Sequence, residues 1–155
     1  MTLFAKELKR IKLILETNDY GVRDGMMPHD DFRLFLTPPG IEDESEEVFK
    51  LKESGKVCCG SEIIMGGNVR EVFFQQTHKE QARFKELLAG ADGVGDLDFF
   101  ETVNNGKDFQ ITIRTEFKID ELSEDVFGDA MNRLNIAGGS IENVWNEYFE
   151  DIVNV

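Results

Sequence analysis

The chain has 155 residues, 41% hydrophobic and 31% charged, and a formal net charge of −14. That length and apolar content suit one globular domain over residues 1–155 and exclude a disordered chain. The acidity excludes direct nucleic-acid binding by phosphate neutralisation, which needs a basic footprint.

The charge is uneven. Residues 1–40 balance six basic against six acidic side chains, whereas residues 116–155 carry two basic and ten acidic. Thirteen Phe residues imply well-filled layers or an aromatic contact surface.

In chain order, Phe4, Leu8, Ile11 and Leu15 recur at helical spacing, with Leu3 and Ile14 widening the stripe. They predict a helix over about Leu3–Glu16, with Thr2 as N-cap and Gly21 just beyond its end. Lys6, Lys9, Arg10 and Lys12 make its other face basic. Met26 to Asp31 is expected to be loop. Phe32 to Leu36 reads as a strand stopped by Pro38-Pro39-Gly40.

After the acidic run Glu42 to Glu47, residues Val48 to Glu53 fit either a short helix or a strand, and strand is preferred. Val57–Met65 and Val69–Gln75 are then expected as strands joined by a Gly66-Gly67-Asn68 hairpin. In that reading Phe73 and Phe74 face opposite sides of one strand, so both sides need apolar cover.

Thr77-His78-Lys79-Glu80 is a capping box that opens a helix through about Leu88, with Phe84, Leu87 and Leu88 inward and Gly90 at its end. Leu97–Val103 and Asp108–Ile119 form a second hairpin through Asn104 to Lys107. The alternation of Phe109, Ile111, Ile113, Thr115 and Phe117 with polar residues implies one buried face. A helix over about Glu124–Leu134 follows. Gly138-Gly139 is expected to break it, and Ser140 to cap a last helix carrying Ile141, Val144, Trp145, Tyr148, Phe149 and Ile152.

The sum is an α+β fold: an antiparallel sheet of about five to six strands with helices packed on one side, in the order α-β(3-4)-α-β-β-α-α.

No arrangement of residues satisfies a chemical motif. In residues 84–101 no register supplies an EF-hand's ligands, its central Gly and its final Glu together. Gly93 and Gly95 follow a helix rather than a strand, which fails the dinucleotide fingerprint. His29 and His78 are the only histidines, and neither has a partner at metal-ligand spacing. Adjacent Cys58 and Cys59 would point to opposite faces of a strand, which disfavours a disulfide between them and fits a reducing compartment. No catalytic, cofactor or metal residues are assigned. No apolar run is long enough to span a membrane, and the charged start lacks a signal-peptide core, so a cytoplasmic location is expected.

Thr112 to Ile119, leading into Asp120-Glu121-Leu122-Ser123-Glu124-Asp125 and an apolar helix, resembles the small acidic chaperones of type III secretion and their wider superfamily. The resemblance implies a cytosolic protein-binding role and a homodimer. It carries no residue-level motif, and an extra strand within residues 30–75 and the added last helix depart from it.

The leading expectation is therefore a non-enzymatic protein-binding module, chaperone-like, with contact residues Phe35, Val72 and Phe74. The alternative is an acidic inhibitor, such as an immunity protein or nucleic-acid mimic. It would present Glu142, Glu147, Glu150 and Asp151, with Glu124, Asp125 and Asp129, to a basic enzyme surface. A third reading, an enzyme with a carboxylate site formed only in space, leaves no sequence signature.

Overall fold

The structure is a computed structural model that describes residues 4–65, 67–104 and 108–153. Its elements run α1 (Ala5–Thr17), β1 (Gly21–Asp24), β2 (Asp30–Thr37), β3 (Glu46–Leu51), β4 (Lys56–Met65), α2 (Gly67–Gln75), α3 (His78–Ala89), β5 (Asp98–Asn104), β6 (Asp108–Lys118), a 3-10 turn at Ile119–Glu121 and α4 (Glu124–Val153). The strands form one six-stranded antiparallel sheet in the order β1-β2-β3-β4-β6-β5, with the helices on one side. This is the expected α+β class.

The chain divides into two compact units. The first comprises residues 1–61 and 114–134, the second residues 62–113 and 135–155.

In the first unit, α1 buries Ile11 and Leu15 and ends in a Schellman motif. Asp19 takes a left-handed φ of 64°, its N–H donates to the Glu16 carbonyl at 3.1 Å, and the Tyr20 N–H reaches the Leu15 carbonyl at 3.0 Å. This turn directs the chain into β1, a strand that the sequence reading lacked. Thr2 and Leu3, the expected cap and stripe residues, lie outside the described residues.

Strand β2 alternates cleanly, with Phe32, Leu34 and Leu36 buried on the helix side and Arg33 and Phe35 on the other. Residues 46–51 are a strand, as preferred. Register pairs Arg33 with Phe49, Leu34 with Val48, Phe35 with Glu47 and Leu36 with Glu46. Cys59, opposite Val48, is buried, while its neighbour Cys58 lies opposite Phe49 and is partly exposed, as alternation required.

In the second unit two expected elements are overturned. Residues 69–75 are not a strand; they belong to helix α2. The run Val72-Phe73-Phe74 has strand propensity, but packing decides otherwise. Phe73 is fully buried with its ring 5.6 Å from Phe84 of α3, and Phe84 in turn meets Phe149 at 5.1 Å and Tyr148 at 4.7 Å. The Tyr148 hydroxyl donates to Gln76 Oε1 at 3.1 Å, just past the end of α2. Helix α3 has the predicted cap, the Glu80 N–H donating to Thr77 Oγ1 at 3.2 Å, but Leu87 is exposed rather than inward. The glycine-rich stretch after α3 is a packed turn. Ala91 and Val94 are buried, and Gly93 (φ 83°) comes within 3.7 Å of the Ala137 backbone, measured from where its Cβ would stand.

The second correction concerns α4, one continuous helix of 30 residues that Gly138-Gly139 does not interrupt. The cause is phase. Leu134 and Ile141 are both buried and stand seven residues apart, close to two turns, with buried Ala137 between them. One apolar stripe therefore runs Phe127, Ala130, Met131, Leu134, Ala137, Ile141, Trp145, Phe149. Ser140 is an interior residue, whereas Ser123 caps the start, its Oγ accepting the Val126 N–H at 3.1 Å.

A Cβ at Gly138 or Gly139 would meet nothing within 4 Å. Replacing both by Ala is expected to stabilise the protein by about 1–2 kcal/mol, because glycine is the costlier residue in a helix interior. Thermal unfolding should register a rise of several degrees. A fall in the melting temperature would mean that the pair marks a break after all.

Candidate functional site

The helix-free face of the sheet in the first unit gathers side chains that the sequence leaves scattered. A register shift between Asp30 and Phe32 makes Asp31 an extra residue on β2. The bulge turns Asp30 to the side of Arg33, and the two form a forked ion pair, Nε to Oδ2 at 2.7 Å and Nη2 to Oδ1 at 3.2 Å. Arg33 Nη1 also reaches Glu47 Oε2 at 2.6 Å, and Arg114 Nη2 approaches Glu47 Oε1 at 3.7 Å. Both guanidinium groups lie over the Phe49 ring, at 4.1 and 5.4 Å from its centre.

At the β1 edge, Arg23 lies 4.7 Å over the Phe35 ring and forks to Glu44 with two contacts of 2.9 Å. Phe35 fills the space beside Gly25, where a Cβ would stand 2.1 Å from the ring. Met26 and Met27 are exposed in the adjoining turn. Toward β6, Lys56 pairs with Glu116 at 3.0 Å, and the Cys58 thiol donates to the same carboxylate at 3.7 Å.

The face is therefore two aromatic rings overlaid by three arginines and edged by carboxylates. Burial alone would push the Asp30 carboxyl up, but the Arg33 hydrogen bonds and the Met27 amide outweigh it and hold Asp30 below the usual carboxylate range. The hydrogen bond that Arg33 donates to Asp30 in turn raises Arg33. These groups stay ionised and paired, an arrangement suited to binding rather than proton transfer.

The helix side of β3 is different. Glu46 and Lys50 flank Val48 in one row, and both are buried. Lys50 Nζ pairs with Asp31 at 2.5 Å and lies 4.3 Å over the Phe4 ring. Among the described residues Glu46 has no cation paired with it. Burial pushes its carboxyl up to about 7, partly offset by the Tyr20 hydroxyl at 3.4 Å. Neighbouring Cys59 is fully buried, and burial pushes its thiol far above its ordinary value. A cleft of about 310 Å³ in the first unit, lined by Glu116, Phe117, Asp125, Asp129 and Arg133 among others, does not include Glu46.

The predicted contact residues divide as follows. Phe35 is on the helix-free face. Val72 and Phe74 are partly buried on helix α2, and the Phe74 ring packs edge-on to Phe73 at 5.1 Å, so no two-faced strand exists to present them. Glu124, Asp125, Asp129, Glu142, Glu147 and Glu150 are exposed along α4, while the side chain of Asp151 is outside the described ones. Arg23, Arg33, Arg114 and Phe49 were not singled out from sequence. The alternation of Arg33 and Phe35 with three buried apolar residues was a legible signal, whereas the meeting of Arg33, Glu47 and Arg114 depends on register.

No family model matches the sequence, and no curated protein matches it. The fold is similar to the crystal structure of an uncharacterized protein from Methanothermobacter thermautotrophicus, with a TM-score of 0.76 at 12% identity, covering 91% of this chain and 97% of that one. At that identity the likeness shows the fold.

Glu46 yields a pH prediction. Its carboxyl titrates near 7 folded against an ordinary 4.5, so the unfolded chain releases this proton at lower pH than the folded one. The destabilisation is absent below the ordinary value, grows as pH rises and is complete above about 7. Glu46→Gln is expected to flatten that part of the pH profile and to gain up to about 3 kcal/mol at alkaline pH over wild type. Urea titrations at acid and alkaline pH measure it. Parallel profiles for the two proteins would show that Glu46 is not the titrating group.

Proposed function

We propose that the chain is a non-enzymatic protein-binding module whose contact surface is the helix-free sheet face around Phe35, Phe49, Arg23, Arg33 and Arg114. The observation that carries this reading is the residue set on that face. Aromatic side chains, arginine and exposed methionine are the types enriched where proteins meet, and three of the chain's seven arginines are here. The arginines present planar donors on an otherwise acidic protein, which suits a partner segment bearing carboxylates beside apolar side chains. A chaperone-like hold on such a segment agrees with the resemblance noted in the sequence.

A second reading, an acidic inhibitor of a basic enzyme, is favoured by the exposure of Glu142, Glu147 and Glu150 on α4. It predicts binding that collapses at high salt.

Phe35→Asp and Arg114→Glu, each shown to be folded by circular dichroism, are expected to lose proteins that the wild-type chain captures from its own cell extract. Each should weaken binding at least about tenfold, as central interface positions do. Capture unchanged in both variants would remove this face from consideration. Loss only on reversal of Glu142, Glu147 and Glu150 would favour the inhibitor.

A further inference from the structure

Two patches of opposite charge lie side by side in the first unit. On the exposed side of α1, Lys6, Lys9, Arg10 and Leu13 recur at intervals of three and four, and Leu13 is 64% exposed. Among the described residues, neither Lys6 nor Lys9 has an ion-pair partner, although Lys12, on another side of the helix, pairs with Asp24. Arg10 Nη1 donates to the Leu122 carbonyl at 3.4 Å, which sets this stripe against the segment opening α4. That segment exposes Asp120, Glu121, Glu124 and Asp125, and no basic residue occurs from 119 to 132.

We propose that a second copy of this chain covers both patches, the α1 stripe of each copy meeting the 120–125 segment of the other about a two-fold axis. The argument is charge complementarity under that symmetry. In an isologous contact, patch i meets patch j while j meets i, so adjacent patches of opposite sign complement themselves. An acidic foreign partner would satisfy only the lysines, and a basic one only the carboxylates. A second copy satisfies both and brings Leu13 under cover. The surface is separate from the helix-free face, so the inference does not rest on the proposed function.

The salt dependence distinguishes this dimer from an apolar one. Each copy carries −14, and the copies repel at long range. At about 0.01 M salt the screening length is roughly 30 Å and repulsion between whole molecules opposes association. Near 0.1 M it is about 10 Å, so distant charges are screened while contacting pairs still attract; near 1 M, at about 3 Å, the pairs weaken too. Association therefore peaks at intermediate salt, whereas apolar burial strengthens as salt rises.

The test is sedimentation equilibrium of the full chain at these three salt concentrations, with the reversals Lys6→Glu/Lys9→Glu and Glu124→Lys/Asp125→Lys. Each variant alone is expected to raise the dimer Kd at least about tenfold, the effect of losing roughly 1.4 kcal/mol. Mixed in equal amounts they should associate again, because the reversed α1 carboxylates of one variant face the new 124–125 lysines of the other, and the unchanged acidic segment of the first faces the unchanged lysines of the second. Recovery on mixing cannot come from a folding defect. Should a double reversal unfold, the single changes Lys9→Glu and Glu124→Lys carry the same test. A wild-type chain monomeric at every salt, association that rises steadily to 1 M, or a mixture no better than either variant would overturn the proposal.

Discussion

Strand β3 presents Glu46, Val48 and Lys50 to the helix side of the sheet, so two of the three residues in a buried row are ionisable. Burying such groups is costly unless each finds a partner, and the partners come from the β2 bulge and from the two ends of α1. Lys50 pairs with Asp31 on the β2 bulge and takes the Phe4 ring at the start of the helix. Glu46 takes the hydroxyl of Tyr20, which the Schellman turn at the helix end delivers. The N-terminal helix is thus held at both ends by one strand. The same bulge that gives Asp31 to Lys50 gives Asp30 to Arg33 on the opposite face.

The two ends of that row are not equivalent. Lys50 is compensated by a carboxylate and an aromatic ring. Among the described residues Glu46 is compensated by the neutral Tyr20 hydroxyl and by no cation, and its proton is therefore the one whose loss strains the fold near neutral pH. On the helix-free side Arg33 is paired with Asp30 and Glu47 and Arg23 with Glu44, and the cations spread over Phe49 and Phe35. Such paving keeps an uncovered sheet face compatible with solvent. It also leaves the planar donors in place for a partner that offers carboxylates and apolar contact.

Several elements were legible because their signals are local. The capping box at Thr77, the alternation of β2, the period of α1 and the opposite orientations of Cys58 and Cys59 each depend on neighbours within one turn or one strand. The placement of Phe35 on the helix-free face followed from the same alternation. The arginine layer did not, because Arg33, Glu47 and Arg114 meet only when β2, β3 and β6 are placed. The strand on which Val72 and Phe74 were expected to face opposite sides is a helix, because Phe73 packs into the second unit's aromatic cluster.

By itself the sequence determined the α+β class, the apolar stripes and the acidity, since composition and periodicity act residue by residue. Tertiary structure decided whether Val72-Phe73-Phe74 would be strand or helix, through the packing of Phe73 on Phe84 in an aromatic cluster of the second unit. It also decided that Gly138-Gly139 would not break α4, because Leu134 and Ile141 are buried on one stripe two turns apart. And it decided which ionisable groups are paired, through strand register and the β2 bulge. Propensity differences of at most about 1 kcal/mol per residue are outweighed by the burial of a single large side chain. The elements whose local signals were weakest were therefore fixed by what they pack against.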